Sequence, residues 1–135
     1  MEVFERAKNY LNTNNPFAHL LGMQITEVGD GTSTVVLPFR KDLSNPTQSA
    51  NGGVQYSMAD FAGGAAAVSH GRLVVTVDAS FHYLRAGLDS QTLYARAREL
   101  KAGKKLLTYE VTVSDQTGLV LSTGIFTFAP IRDLP

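Results

Sequence analysis

The chain has 135 residues, 44% of them hydrophobic, with 12 basic residues against 12 acidic ones and no cysteine. That length corresponds to one domain with one core. The missing cysteines exclude a disulfide framework, a thiolate metal site and a cysteine nucleophile. A net charge of zero argues against a nucleic-acid partner.

The longest apolar stretch, Met58 to Val68, carries Asp60 and two glycines and falls short of the ~20 residues a membrane span needs. The opening Met1-Glu2-Val3-Phe4-Glu5-Arg6 lacks the pattern of a secretory signal. Together with the absent cysteines, this makes a cytoplasmic location the expectation.

Residues 1–11 place Val3, Phe4, Ala7, Tyr10 and Leu11 near helical spacing, and the run Asn12 to Pro16 should end that helix. A further helical turn is expected at Phe17–Leu21. Extended segments at 22–28 and 32–40 flank Gly29-Asp30-Gly31, which reads as a hairpin. A polar loop over 41–51 leads through Gly52-Gly53 into a helix of about 16 residues ending at Val68. That helix is apolar on nearly every side, which predicts burial on nearly every side, part of it against another copy of the chain. Beyond Arg72, four segments near 72–84, 92–101, 104–115 and 118–129 read as an antiparallel meander. Leu73, Val75, Val77, Ala79, Phe81 and Tyr83 are expected on one face of the first, and Leu107, Tyr109, Val111 and Val113 on one face of the third. The fold class is α+β, one domain over 1–135 with 1–14 as a helical extension, and one long helix against a sheet of five or six strands.

Asp60 is the most informative residue. A carboxylate in the middle of an apolar helix needs either a hydrogen-bond partner, such as Ser57, Tyr56 or a backbone amide, or a functional reason for its perturbation. Its helical neighbours Gly53, Gly63, Gly64 and Ala67 are small, leaving room for a ligand or a second backbone beside it. Ala62, Gly63, Gly64 and Ala67 suggest a roomy pocket next to the helix. Gly52-Gly53 offers free N–H groups at the positive end of the helix, a candidate oxyanion cradle, although a plain glycine turn has the same sequence. Arg85, Arg96, Arg98, Lys101, Lys104 and Lys105 stand against only Asp89 and Glu99 in that span, which reads as a solvated face or an anion-binding edge. His19, His70 and His82 lack metal-ligand spacing, and no metal site is expected. His82 reads as a surface or subunit-contact residue.

The run Asn45 to Val54, followed by Ser57-Met58-Ala59-Asp60, resembles the hotdog-fold acyl-CoA thioesterases of the phenylacetate-degradation (PaaI-like) and 4-hydroxyphenylacetyl-CoA type. Their pattern of Asn, six positions to His-Gly-Gly, and nine from that His to an acidic residue keeps its intervals here. Asn15-Pro16-Phe17, Leu21-Gly22, Val77-Asp78, Tyr83-Leu84-Arg85 and Ala102-Gly103-Lys104 extend the likeness over most of the chain. The resemblance implies hydrolysis of an aryl or medium-chain acyl-CoA without a cofactor, coenzyme A being part of the substrate.

It implies Asp60 as base or nucleophile, the Gly52 N–H as oxyanion donor, Asn45 as the loop residue orienting water or acid, and Thr76 as the hydroxyl holding the water. Asn51 and Gly53 would border the substrate, and Arg85, Lys104 and Lys105 would meet the coenzyme A phosphates. It also implies a dimer or a tetramer built as a dimer of dimers, with Asp60 of one copy facing Gly52 of another. Asn51 departs from the motif His. An amide can brace the loop but cannot serve as a general base. An acyl-CoA or aromatic-ligand binding module without turnover therefore stays open beside the enzyme, while hotdog dehydratases, which need a catalytic His, fit less well.

Overall fold

The computed structural model describes residues 2–135. Helix α1 (Val3–Thr13) and the short α2 (Pro16–Leu21) precede strands β1 (Gln24–Gly29) and β2 (Thr32–Pro38). A 3-10 turn at Lys41–Leu43 and a loop lead to the long α3 (Gly52–Val68), which is followed by β3 (Arg72–Tyr83), β4 (Thr92–Ala102), β5 (Leu107–Ser114) and β6 (Val120–Asp133). Helix α1 ends within the expected run, and Asn12 in its last turn ties it to β1 through one residue. The Asn12 side chain donates to the Ile25 carbonyl and accepts from the Ile25 N–H, each at 2.8 Å. Ala7 is fully buried in a small cluster with Val68, Leu73 and Leu134, so α1 packs on the domain. Pro16 sits in the first turn of α2, where its missing N–H costs nothing, and Asn15 caps that helix through Ala18 N–H.

The six strands form one antiparallel sheet in the order β1-β2-β4-β5-β6-β3. The expected meander holds for β4-β5-β6 only. After α3 the chain enters the far edge of the sheet, where β3 pairs with β6 from Arg72↔Asp133 to Tyr83↔Ser122, before crossing back to β4. Turn chemistry encodes contacts between neighbours in sequence; a pairing across some fifty residues is selected by packing over the helix.

Strand β3 also breaks the expected alternation. Register shifts at Leu73/Val74 and Thr76/Asp78 mark bulges, which rotate the strand. Val75 and Val77 end up exposed at 48% and 55%, whereas Thr76 turns toward α3. On β5 the alternation is undisturbed, and Leu107, Tyr109, Val111 and Val113 are all buried.

Helix α3 lies across the sheet and is covered by its own chain over most of its circumference. The exceptions form one stripe of exposed or half-buried residues: Gly52, Gly53, Tyr56, Ser57, Asp60 and Gly64. One chain thus covers the apolar positions of this helix other than Tyr56, and the side left uncovered is a polar and small-residue stripe. Among the described residues no helix is long and apolar enough to cross a membrane.

Candidate active site

The bulge in β3 gives Asp60 its partner. Thr76 Oγ1 donates to Asp60 Oδ1 at 2.6 Å, while Ser57 turns away to the Gly53 carbonyl. Burial raises the Asp60 carboxyl above its ordinary value, and the Thr76 hydrogen bond opposes that rise without cancelling it. Both residues open on a cavity of about 150 Å³ whose apolar wall includes Leu11, Phe61, Leu73, Val74 and Phe128. Of the four small residues expected beside a pocket, only Gly64 lines this one. A Cβ on Gly63 would stand 2.9 Å from the Phe128 ring, so that glycine is there for the close approach of an aromatic side chain. Ala62 and Ala67 are core residues.

At the helix start, Asn51 is the N-cap. Its Oδ1 accepts from Gly53 N–H at 2.7 Å, the service expected of a brace in this position. The Gly52 N–H has no acceptor among the described residues, as the first amide of a helix need not. Tyr83 Oη donates to the Gly52 carbonyl at 2.6 Å, and its ring stands 3.1 Å from where a Gly52 Cβ would lie. Burial and the nearby Tyr56 phenol raise the Tyr83 hydroxyl, so it stays a donor.

The preceding loop is held largely by Asn45. Its Oδ1 accepts from the N–H and hydroxyl of both Thr47 and Ser49, at 2.9–3.1 Å. The Asn45 carbonyl oxygen thus organises the loop, and within one chain the residue lines a second cavity, away from Asp60. That cavity, about 410 Å³, is bordered by Asn45, Gly52, Gln55, Tyr83 and Arg85 among others. Gly52 and Asp60 are eight residues apart on one helix, about 12 Å at 1.5 Å per residue. One chain therefore presents the carboxylate and the free amide in two separate openings.

The basic residues do not form a single edge. Arg85 follows β3 and donates to the Val120 carbonyl at 2.9 Å beside the larger cavity. Lys104 and Lys105 lie exposed in the β4–β5 turn, which the pairings Thr76↔Phe128 and Phe128↔Leu107 place at the other end of the sheet. Arg98 pairs with Glu110 at 2.8 Å, and Arg96 stacks on the Tyr94 ring at 4.9 Å. Charges close in sequence alternate along strands and turns, so the sheet disperses them.

Two polar clusters were not legible in the sequence. Gln55 and Ser122 are buried and bonded to each other at 2.6 Å, and Gln55 Nε2 donates to the Ala50 carbonyl at 3.1 Å. The signal that exposed Asp60, a polar residue on an apolar helix, applied equally to Gln55. His70 and Tyr109 converge on Glu99 Oε1 at 2.5 and 2.7 Å. Burial pushes Glu99 up, but hydrogen bonds from Tyr109 and His70 outweigh it and hold the carboxyl below its usual value. Its residues join the end of α3 to the sheet. His82 is exposed beside Ser80 at 3.1 Å. Among the described residues no group of three His or acidic side chains is placed to hold a metal.

Comparison with known proteins gives these features a family. The sequence profile of the thioesterase superfamily matches residues 47–122, from the Asn45 loop to Ser122. A putative esterase of Archaeoglobus fulgidus is 30% identical over 121 residues, covering 90% of this chain and 79% of its own. The acyl-coenzyme A thioesterase PaaI of Escherichia coli is 30% identical over 103 residues, 76% of this chain and 74% of that one. The solved structure of Escherichia coli PaaI superposes with a TM-score of 0.91 over 98% of this chain and 99% of its own, at 24% identity, and supports the fold. A conserved protein of Pseudomonas aeruginosa superposes with a TM-score of 0.81 at 32% identity, over 87% of this chain and 94% of its own.

Proposed function

The chain belongs to the thioesterase superfamily and is a thioester hydrolase, and from that premise we propose that it hydrolyses acyl-CoA with Asp60 as general base, in a site completed by a second copy. The observation that carries this reading is the half-buried carboxylate of Asp60, held by Thr76 on the one stripe of α3 that the chain leaves uncovered. A carboxyl raised by burial is a stronger proton acceptor once ionised.

Water beside the Asp60–Thr76 pair, donating to the carboxylate oxygen that Thr76 leaves free, gives a proton to Asp60 as its own oxygen attacks the thioester carbon. The oxygen of that carbonyl takes up negative charge against the Gly52 N–H at the positive end of α3. When the carbon–sulfur bond breaks, the proton on Asp60 passes to the departing thiolate.

A second copy is needed because the two groups lie about 12 Å apart on one helix. Strand β3 is an edge strand with exposed Val75 and Val77, and an unpaired edge is a template for another strand. Pairing β3 with its copy would lay one uncovered α3 stripe near the other and bring Asp60 of one chain toward Gly52 of its partner, in a dimer or a dimer of dimers. Arg85, beside the Gly52 cavity, suits a phosphate of coenzyme A, and Lys104 and Lys105 would serve from a neighbouring copy. The cavity at Asp60 favours an aryl or medium-chain acyl group, since an apolar space of about 150 Å³ admits a benzene ring.

The test is thiol release from a panel of acyl-CoAs by the parent and by Asp60→Asn. Steady release that falls by about 100-fold or more in the variant supports the enzyme. Tight acyl-CoA binding with no release would establish the binding module instead.

A further inference from the structure

We propose that Gln55 and Ser122 are positioning residues that fix the plane of the Asn51–Gly52 peptide, and with it the direction of the Gly52 N–H. The inference rests on the reading of that N–H as oxyanion donor.

The geometry starts from one rung of the sheet, where Tyr83 of β3 pairs with Ser122 of β6. Each residue of the rung grips the chain on one side of the Asn51–Gly52 peptide. Tyr83 donates directly to the Gly52 carbonyl at 2.6 Å. Ser122 reaches the other side through Gln55: its hydroxyl donates to Gln55 Oε1 at 2.6 Å, and Gln55 Nε2 donates to the Ala50 carbonyl at 3.1 Å. The Ala50 carbonyl can only accept, so it takes the Gln55 amino group and leaves the amide oxygen for Ser122. The peptide whose N–H would meet the oxyanion is thus suspended between two carbonyls, both tied to the same rung.

The two grips differ in setting. Tyr83 is 52% exposed and borders the larger cavity, where substrate can touch it. Gln55 is 3% exposed and meets that cavity only at its wall, and Ser122, 0% exposed, lies behind it, outside the lining. Apolar side chains would fill that part of the core at no desolvation cost, whereas this buried pair adds a directional bond between sheet, helix and loop. Its bonds end on the backbone two residues before Gly52. An oxyanion donor is effective over a narrow range of distance, and a small rotation of its peptide loses that alignment.

The experiment compares Gln55→Met, Ser122→Ala and the double variant with the parent, measuring kcat, KM and Tm on one acyl-CoA. Gln55→Met should lower kcat by about 10- to 50-fold with KM within about threefold, because the alignment matters most when charge develops. Ser122→Ala should lower kcat several-fold. Gln55→Met leaves both the Ser122 hydroxyl and the Ala50 carbonyl unpaired; the double variant removes the first of these and should regain part of the lost Tm. Its kcat should nevertheless stay as low as that of Gln55→Met. A purely structural role would restore kcat together with Tm, and that result would overturn the proposal. Should Gln55→Met fail to fold, Ser122→Ala alone decides, and kcat equal to that of the parent would refute it. Asp60→Asn is run in parallel. If that variant is inactive while Gln55→Met matches the parent, only the positioning inference falls. A parent that releases no thiol, or an Asp60→Asn that retains full turnover, overturns the catalytic reading and this inference with it.

Discussion

Replacing Thr76 by valine removes one hydroxyl and leaves shape and branching intact. The bond deleted is the 2.6 Å donation to Asp60 Oδ1. Hydrogen bonds to charged groups contribute about 1.5–3 kcal/mol, and an exposed residue on an edge strand belongs at the low end. Two effects follow. Burial raises the Asp60 carboxyl and Thr76 opposes the rise, so the variant should carry its carboxyl higher still. The acid limb of kcat/KM, which follows ionisation of Asp60 in the free enzyme, should then move to higher pH. Above that limb the carboxylate is fully ionised in parent and variant alike, and what remains is lost orientation of base and water. About 1.4 kcal/mol of it corresponds to a tenfold fall in kcat. The assay is continuous thiol release across the acid and neutral range at constant ionic strength. A limb that stays in place or moves to lower pH, or an unchanged plateau, would refute Thr76 as the partner of a catalytic Asp60.

Asp60→Asn should raise Tm at neutral pH while turnover is lost. A carboxyl raised in the folded chain favours folding below its unfolded value, and that contribution disappears as pH rises through the folded one. Removing it should gain about 1 kcal/mol, or roughly 3–5 °C, at neutral pH and nothing in strong acid, as thermal melts at the two pH values would show. Asn51→His should cost about 1 kcal/mol through the lost cap on Gly53, measured by urea unfolding, yet change turnover less than tenfold because the Gly52 amide belongs to the backbone. In sedimentation at micromolar concentration the parent should run as a dimer or tetramer, and Val77→Asp on the exposed β3 edge should run as a monomer with activity lowered at least about 100-fold. A fully active monomer would contradict the shared site.

The sequence by itself determined what depends on neighbours along the chain. Helical and alternating periodicity marked α1, α3 and the strands, glycine and Asp-rich turns separated them, and a charge on an apolar helix with a glycine pair at its start drew out Asp60 and Gly52, whose intervals to Asn45 and Asn51 resemble those of a known family. Asp60 was legible because a charge on an apolar helix is costly wherever that helix packs.

The tertiary structure decided what depends on meetings across the chain. It put β3 beside β6 at the sheet edge, and its bulges turned Thr76, which regular alternation would point away, onto Asp60. Small residues that looked like one ligand face divided between a close approach to Phe128 at Gly63 and a cavity wall at Gly64. Basic residues within one span of about twenty positions, Arg85 and Lys104–Lys105, separated to opposite ends of the sheet. The polar links behind Gly52 emerged only when Ser122, sixty-seven residues beyond Gln55, came within 2.6 Å of it. Periodicity reports which face a side chain takes; a hydrogen bond needs the partner's position to within tenths of an ångström, and packing of the whole domain alone sets that.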